Sequence, residues 1–404
     1  MKLKVLQINT FYLWGSTGRI VRDLKILCEK SGIESYVAYG EEMDNGDANV
    51  FRMQSFLRRK INILRTRLYD AHGFYNEEET KQLIKWMSQI RPDVIHLHNI
   101  HNHFVHVGML FDYIKMHNIP VVWTLHDCWP FTGHCAYFDY SNCEKWEMGC
   151  GHCPSLREYP PTWFFDRTRK NFEKKKGTFT GVANLTLVTP SQWLADLTRL
   201  SFLKEYPVKV INNGVDTNAF QPSAKNLKAD LGISDKKMLL AMASVFDRRK
   251  GTEYLLQLPK LLKDDEVLVL VGLSDSQKNL FTQDKCIGVG RTNNIAELAD
   301  YYSTADVFIN PTLEDNFPTT NIEALACGTP VVTFRTGGSP ESVDETVGRV
   351  VEKGDLQALL QSAREVFATG KDVYSNHCVE KARRLYNKDI QYMKYIELYK
   401  NVKS

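Results

Sequence analysis

Residues 308–340 read FINPTLEDNFPTTNIEALACGTPVVTFRTGGSP. The apolar run DVFINPT, which begins at Asp306, reads as a strand ending in a short loop that carries Glu314, Asp315 and Asn316. A helix is expected to start near Thr319 or Thr320 and to stop at Gly328 and Pro330, because glycine closes helices and proline cannot continue them. PVVTF then forms another strand, leading into a turn at Gly337 and Gly338. Strand, loop, helix and strand in this order are one crossover of a parallel sheet. Such sheets gather ligands where strand carboxyl ends meet helix amino ends, since free N–H groups and the helix dipole favour an anion there. Two acidic side chains at such a place make sense if the hydroxyls of a ribose or a hexose have to be held next to a phosphate.

The chain has 404 residues, enough for two domains, and its 43% apolar and 25% charged content is that of a globular protein with a good core. A formal charge of +3 gives no argument for nucleic acid. The start, MKLKVLQINTF, turns straight into a strand pattern, so a cytoplasmic location without a signal peptide is expected.

LKVLQINT (3–10) is an apolar strand, and the turn after it, with Gly15 and Gly18 and then Arg19, opens a helix. Gly15 and Gly18 could let backbone approach a ligand, or mark an ordinary strand-to-helix turn. FLRRKINILRTRL (56–68) places Leu57, Ile61, Leu64 and Leu68 at helical spacing among Arg58, Arg59, Lys60, Arg65 and Arg67. It fits a helix lying on an anionic membrane, reinforced by the basic run 167–176, or equally a solvated helix with its apolar side in the core. PDVIHLHN (92–99) and PVVWTLHD (120–127) are strands that end in histidines. His96, His98, His101, His103 and His106 read as lining the mouth of a cleft, and His126 with Asp127 stands at a strand end, where sheet enzymes place chemistry.

Five of the nine cysteines fall between Cys128 and Cys153. Cys135, Cys143, Cys150 and Cys153 have the spacing C-x7-C-x6-C-x2-C, a zinc half-site completed by two more thiols in a loop with little apolar periodicity. A closed structural zinc is the expectation, with free thiols as the other reading. Polar residues after Pro222 mark the exit from a first domain. In the second, Arg248, Arg249 and Lys250 form a basic turn able to carry phosphate charge. Glu323 has two readings. Thr320-Asn-Ile-Glu323 matches a capping box, in which the glutamate would serve only its own helix, and the alternative is a ligand contact.

With these residues in view, the chain resembles the family-4 retaining glycosyltransferases of the GT-B fold, over nearly its whole length. The matching features are the glycine loop Gly15–Arg19, His126 in TLHDCWPFTGHC, the turn Asn213-Gly214-Val215-Asp216, the pair Lys250-Gly251, and the acidic motif from Asp315 to Glu323 followed by ACGTPVV. The departures are a GSTG loop in place of paired glycines, Asp315 at the first acidic position, and Val245 where the family's arginine stands. Arg248 or Arg249 would replace that arginine.

The resemblance implies an α/β architecture of two Rossmann-like parallel-sheet domains facing across a cleft. They would span 1–218 (acceptor side, with the cysteine-rich insertion 128–156) and 219–385 (nucleotide-sugar side), with a last helix, 386–404, returning to the first domain. It further implies transfer of a hexose-type sugar, with retention, from a nucleoside-diphosphate donor of UDP or GDP type. The acceptor would be a saccharide, lipid-linked by the basic helix's testimony, in surface polysaccharide synthesis at the inner face of the cell membrane. No metal would be needed for the chemistry. His126, Asp315, Glu323 and Lys250 would be catalytic. Gly15, Gly18, Arg19, Asn213, Ser244, Arg249, Asn316, Phe317, Thr319 and Thr320 would join Lys250 and Glu323 in donor binding. A sugar-nucleotide epimerase of the same fold and a non-catalytic nucleotide-sugar-binding protein are the competing expectations.

Overall fold

The computed structural model describes residues 2–40, 46–47, 49–53, 56–243 and 245–403, with the side chains of Phe56 and Leu57 outside the described set. Two compact units divide the chain: Met1–Ile211 with Tyr392–Ser404, and Asn212–Gln391.

The first unit holds strands β1 (Lys4–Asn9), β2 (Glu34–Tyr39), β3 (Val50–Arg52), β4 (Val94–Leu97), β5 (Val121–Thr124), β6 (Leu185–Thr189) and β7 (Val208–Val210). They form one parallel sheet in the order β3-β2-β1-β4-β5-β6-β7. β4 and β5 are buried at every residue, as strands covered on both faces must be. The order reverses between β1 and β4, whose carboxyl ends therefore flank a crevice.

From Tyr392 onward the chain's last helix, Lys388–Lys403, belongs to this unit. Tyr392, Tyr395, Ile396 and Tyr399 pack with Val94, Val122 and Val188 of the sheet. The Tyr399 hydroxyl lies 2.6 Å from His96 Nδ1, His96 Nε2 lies 2.8 Å from Thr124 Oγ1, and Thr124 Oγ1 donates to the Tyr395 hydroxyl at 3.1 Å. His96 is thus a fully buried core residue that fastens the helix to the sheet, and not one lining a cleft mouth.

The second unit holds β8 (Lys237–Met242), β9 (Glu266–Val271), β10 (Cys286–Val289), β11 (Val307–Asn310), β12 (Val331–Phe334) and β13 (Gly348–Val351). They are parallel in the order β10-β9-β8-β11-β12-β13, with the reversal between β8 and β11. The stretch 308–340 is therefore β11, the helix Thr319–Ala326 and β12, placed on one side of that switch point.

The turn Asn213–Asp216 belongs to this second unit and has a structural task. Val215 N donates to Tyr386 O at 2.7 Å, Lys388 N donates to Val215 O at 2.9 Å, and Lys388 pairs with Asp216 at 2.8 Å. A Cβ on Gly214 would stand 2.4 Å from the Lys388 Cα, so only glycine lets the strands of chain close in here. The turn pins the segment that enters the last helix.

Candidate active site

In the second unit, the loops after β8, β11 and β12 come together at the carboxyl edge of the sheet. Arg249 O accepts from Leu313 N at 2.7 Å and from Thr312 Oγ1 at 3.1 Å. Gly251 has φ +71°, and a Cβ there would lie 2.0 Å from Pro311 O. Gly337 has φ +53°, and a Cβ there would lie 1.8 Å from Asp315 O. Both positions need glycine twice over, for the left-handed backbone and for the close approach.

Within this frame Lys250 Nζ bonds Asp315 Oδ2. Asp247 holds the basic turn from below: its side chain accepts from Lys250 N at 3.1 Å and pairs with Arg249 at 3.4 Å. Asn316 and Phe317 are buried, and Phe317 O accepts from Asn213 Nδ2 at 3.1 Å. Ser244 lies outside the described residues. Val245, at the position of the family's arginine, is exposed, while Arg248 and Arg249 belong to the basic turn itself.

The helix Thr319–Ala326 begins with Pro318 at its N-cap, no side chain caps it, and its first turn carries no acidic residue. Thr319 and Thr320 therefore present an uncapped amino end suited to an anion. The capping-box reading of Glu323 fails: with Pro318 in the cap position, Glu323 sits a turn inside the helix. It is buried, and Oε2 accepts from the Tyr302 hydroxyl at 3.0 Å. Asn321 on the same helix is held by Asn310 at 2.8 Å and reaches Ser339 Oγ at 3.0 Å, which fixes the helix to β11 and to the turn after β12.

In the first unit, Gly15 opens the helix Gly15–Lys30 at φ +69°, with open space where its Cβ would be. Gly18 differs. A Cβ there would meet Phe11 Cβ at 3.1 Å and the Tyr12 backbone at 3.2 Å, so its close approach is to its own chain. Arg19 Nε reaches back to Gly15 O at 3.4 Å.

His126 follows β5 and heads a chain of hydrogen bonds that the sequence did not reveal. Gln7 Nε2 donates to Val21 O at 3.1 Å, which turns Gln7 Oε1 toward His98 Nε2 at 3.3 Å. A carbonyl can only accept, so His98 carries its proton on Nε2 and presents a bare Nδ1. That Nδ1 lies 3.1 Å from His126 Nε2, which must then be the donor. Burial holds His98 well below the usual histidine range and lowers His126 to about 4, with Asp127 opposing the latter shift. Both rings are neutral at pH 7, with the His126 proton on Nε2. Beside it, Asp127 is hydrogen-bonded by His101 Nε2 at 2.9 Å and by Trp129 N at 3.0 Å.

Cys135, Cys143, Cys150 and Cys153 line one narrow cavity with Phe138, Trp146 and Pro154. The Cys135 thiol hydrogen-bonds Cys153, which lowers Cys153 to about 7, and Gly133 N donates to Cys150 Sγ at 3.1 Å. All four thiols line the same cavity, and among the described residues no three of His, Cys, Asp and Glu stand where they could hold a metal ion.

The profile described as Glycosyltransferase Family 4 matches residues 17–219 and that of Glycosyl transferases group 1 matches 223–385. The chain belongs to glycosyltransferase family 4. Along its length this glycosyltransferase is 24% identical to the putative colanic acid biosynthesis glycosyl transferase WcaC of Escherichia coli K12, covering 99% of this chain and 100% of that protein. It is 25% identical to an uncharacterized glycosyltransferase, MJ1607, of Methanocaldococcus jannaschii, over 83% of each chain. In fold it is similar to sucrose-phosphate synthase from Thermosynechococcus elongatus, with TM-score 0.70, 18% identity and 99% coverage of both chains. It is similar also to Anabaena HepE in complex with UDP-glucose, with TM-score 0.68, 15% identity, and coverage of 99% and 100%. The two Rossmann-like sheets are those of a GT-B glycosyltransferase.

Proposed function

We propose that this glycosyltransferase moves a hexose-type sugar from a nucleoside-diphosphate donor to a saccharide acceptor carried on a lipid, with retention at the anomeric carbon, during the building of a surface polysaccharide. The observation that carries the reading is the ion pair of Lys250 with Asp315 at the switch point, in the loop that leads into the helix carrying the buried carboxylate of Glu323. A cation, an uncapped helix end and two carboxylates within a few residues suit a diphosphate flanked by hydroxyl-bearing rings. The colanic acid relative supports the polysaccharide setting, and the UDP-glucose complex of a fold relative supports the donor class.

On this reading the donor diphosphate takes over the Lys250 ammonium now held by Asp315. Lys250, Arg249 or Arg248, and the N–H groups of Thr319 and Thr320 stabilise the charge that builds on the leaving diphosphate. Glu323 accepts from the ribose hydroxyls, with Tyr302 fixing its second oxygen. Asp315, with the backbone of Asn316 and Phe317, faces the donor sugar. His126 Nδ1 accepts from a sugar hydroxyl, a role open only to a neutral imidazole with its proton on Nε2. The acceptor hydroxyl attacks from the face the diphosphate leaves, which preserves the anomeric configuration and uses no protein nucleophile. Incubation with a panel of UDP- and GDP-sugars and a polyprenyl-diphosphate saccharide, followed by mass and NMR analysis, tests this. Expected is a glycosylated acceptor whose new linkage keeps the donor's anomeric configuration. Donor consumed without acceptor modification, or donor bound and never consumed, overturns it.

The cysteine loop enters the same proposal as a structural zinc site. Four thiols on one cavity and a backbone N–H aimed at the Cys150 sulfur support it, and the sulfurs would have to draw in around the ion. Elemental analysis of purified protein should find about one zinc per chain, and a metal-free protein with four titratable thiols at these positions contradicts it.

A further inference from the structure

The strand-end loops of the first unit carry aromatic rings that neither the core nor the donor site uses. Phe11 and Trp14 lie in the loop that joins β1 to the helix Gly15–Lys30. Their ring centroids are 4.4 Å apart, and Trp14 is 56% exposed. An indole carries a large apolar area, so a tryptophan left at the ligand-gathering edge of a sheet gains further burial only when something covers it.

This loop is fastened to the one after β4. Thr10 N donates to Asn99 O at 3.1 Å, Asn99 N donates to Asn9 Oδ1 at 3.1 Å, and Asn9 Nδ2 donates to Phe11 O at 2.6 Å. Asn102 Nδ2 reaches Thr10 Oγ1 at 3.4 Å. From the same loop His101 bonds Asp127, the neighbour of His126, and its ring meets that of Tyr159 edge-on at 6.0 Å. Tyr159 follows the cysteine-rich insertion, is 40% exposed, and is anchored by Ala136 N, which donates to its carbonyl at 3.2 Å. Loop 99–102 thus ties Trp14, Tyr159 and His126 to one edge of the sheet, the edge where the strand order reverses.

We infer that Trp14 and Tyr159 are stacking platforms for pyranose rings of the acceptor saccharide and that they set its specificity. The inference rests on the glycosyl-transfer reading above and deepens it by naming what holds the acceptor. A pyranose carries its hydroxyls around a rim and its C–H bonds on two faces. An indole or phenol ring covers one face, and the rim is left to polar groups such as the amides of Asn99 and Asn102, both only partly buried. Sites for small ligands combine aromatic walls with a few placed polar groups in this way. Pyranoses with at least one face clear of axial hydroxyls are therefore favoured, and furanoses, which lack that flat C–H face, are not.

Saturation-transfer NMR of the full chain with methyl β-D-glucopyranoside, methyl β-D-galactopyranoside and methyl α-D-arabinofuranoside tests this. At least one pyranoside should bind, its ring C–H protons saturated more strongly than its methyl group, and the furanoside should not. Trp14→Ala and Tyr159→Leu should each lower pyranoside affinity roughly fivefold, while Trp14→Phe keeps most of it. Melting temperature and the binding of UDP or GDP should stay as in the parent. With a polyprenyl-diphosphate saccharide as acceptor, Trp14→Ala should raise the acceptor KM and leave the donor KM unchanged. A parent that binds no pyranoside, or equal binding by the parent, Trp14→Ala and Tyr159→Leu, overturns the inference. So does a Trp14→Phe variant that loses as much as Trp14→Ala. Because nucleotide binding is read separately, each of these failures leaves the donor reading standing.

Discussion

Nδ1 of His98 stands 3.1 Å from Nε2 of His126, and the Gln7 amide behind His98 decides which of the two nitrogens gives the proton. The tautomer of the His126 ring is thus set by a residue in the middle of β1, itself oriented by a carbonyl of the following helix. On the proposed reading, Gln7 and His98 are positioning residues that act through His126.

This arrangement makes the choice of substitution at His98 informative. His98→Asn places an amide oxygen where Nδ1 was and should keep at least a tenth of parental kcat. His98→Leu removes the acceptor and should lose about a hundredfold, the scale of one lost oriented hydrogen-bond partner. Nitrogen NMR of the ring should show His126 protonated on Nε2 in the parent and a tautomer mixture in His98→Leu. Equal kcat in both variants, with the tautomer unchanged, would show that the chain is structural only.

Lys250→Ala removes the cation assigned to the leaving diphosphate. Turnover should fall by about 10²–10³, the range seen when one preorganised charge donor is deleted. The side chain is only partly buried, so the melting temperature should hold within a few degrees. Parental turnover would remove Lys250 from the phosphate site.

Glu323→Gln keeps the volume and the Tyr302 contact while weakening acceptance from a ribose. Donor KM should rise tenfold or more with little change in stability. Tyr302→Phe should give a smaller rise, since it frees one oxygen of a carboxylate that otherwise stays in place. Glu323→Ala strands the buried Tyr302 hydroxyl and should cost about 1–3 kcal/mol of stability besides. A glutamine variant with unchanged KM would refute the ribose assignment.

Acid should unfold the first unit through its histidines. Burial holds His72, His96 and His98 well below the ordinary range, and lowers His103 to about 3 and His126 to about 4. These folded values lie below the unfolded one of about 6.5, so the unfolded chain binds more protons between them. Their contribution is fully present above about pH 6.5 and is lost as pH falls toward 4, at about 1.4 kcal/mol per pH unit for each ring that must stay neutral. Melting followed from pH 7 to 4.5 should show that decline, reduced in His72→Phe, which removes a ring whose two nitrogens have no hydrogen-bond partner among the described residues. A melting temperature flat across this interval would mean the rings are charged or hydrated in the fold.

The sequence and the structure agree where a pattern is local. β11, the helix start at Thr319 and the glycine turn at Gly337 are legible because strand alternation, breaker residues and spacing each carry the information within the segment. The capping-box reading of Glu323 was local too, and it failed because Pro318 took the cap position and moved the glutamate into the helix. His96 looked like a ligand-facing histidine, and its burial depends on two tyrosines about 300 residues later in the chain, beyond the reach of any window. Gln7 and His98 were hidden for a like reason: a polar residue inside an apolar strand says nothing about its partner until the sheet order sets β1 beside β4. In the helix Phe56–Tyr69, Asn62 and Thr66 are buried against Asn76 and His103 while Ile61 and Leu64 are exposed, the reverse of what apolar periodicity suggests for these residues.

The most direct measurement is titration calorimetry of the full chain with UDP, GDP and their hexose conjugates, repeated on Lys250→Ala, Glu323→Gln and His98→Leu. The account predicts saturable heat with one nucleotide class, weakened at least tenfold by the first two substitutions and little changed for the bare nucleotide by the third. No heat with any of these ligands, or undiminished affinity in both Lys250→Ala and Glu323→Gln, would contradict it.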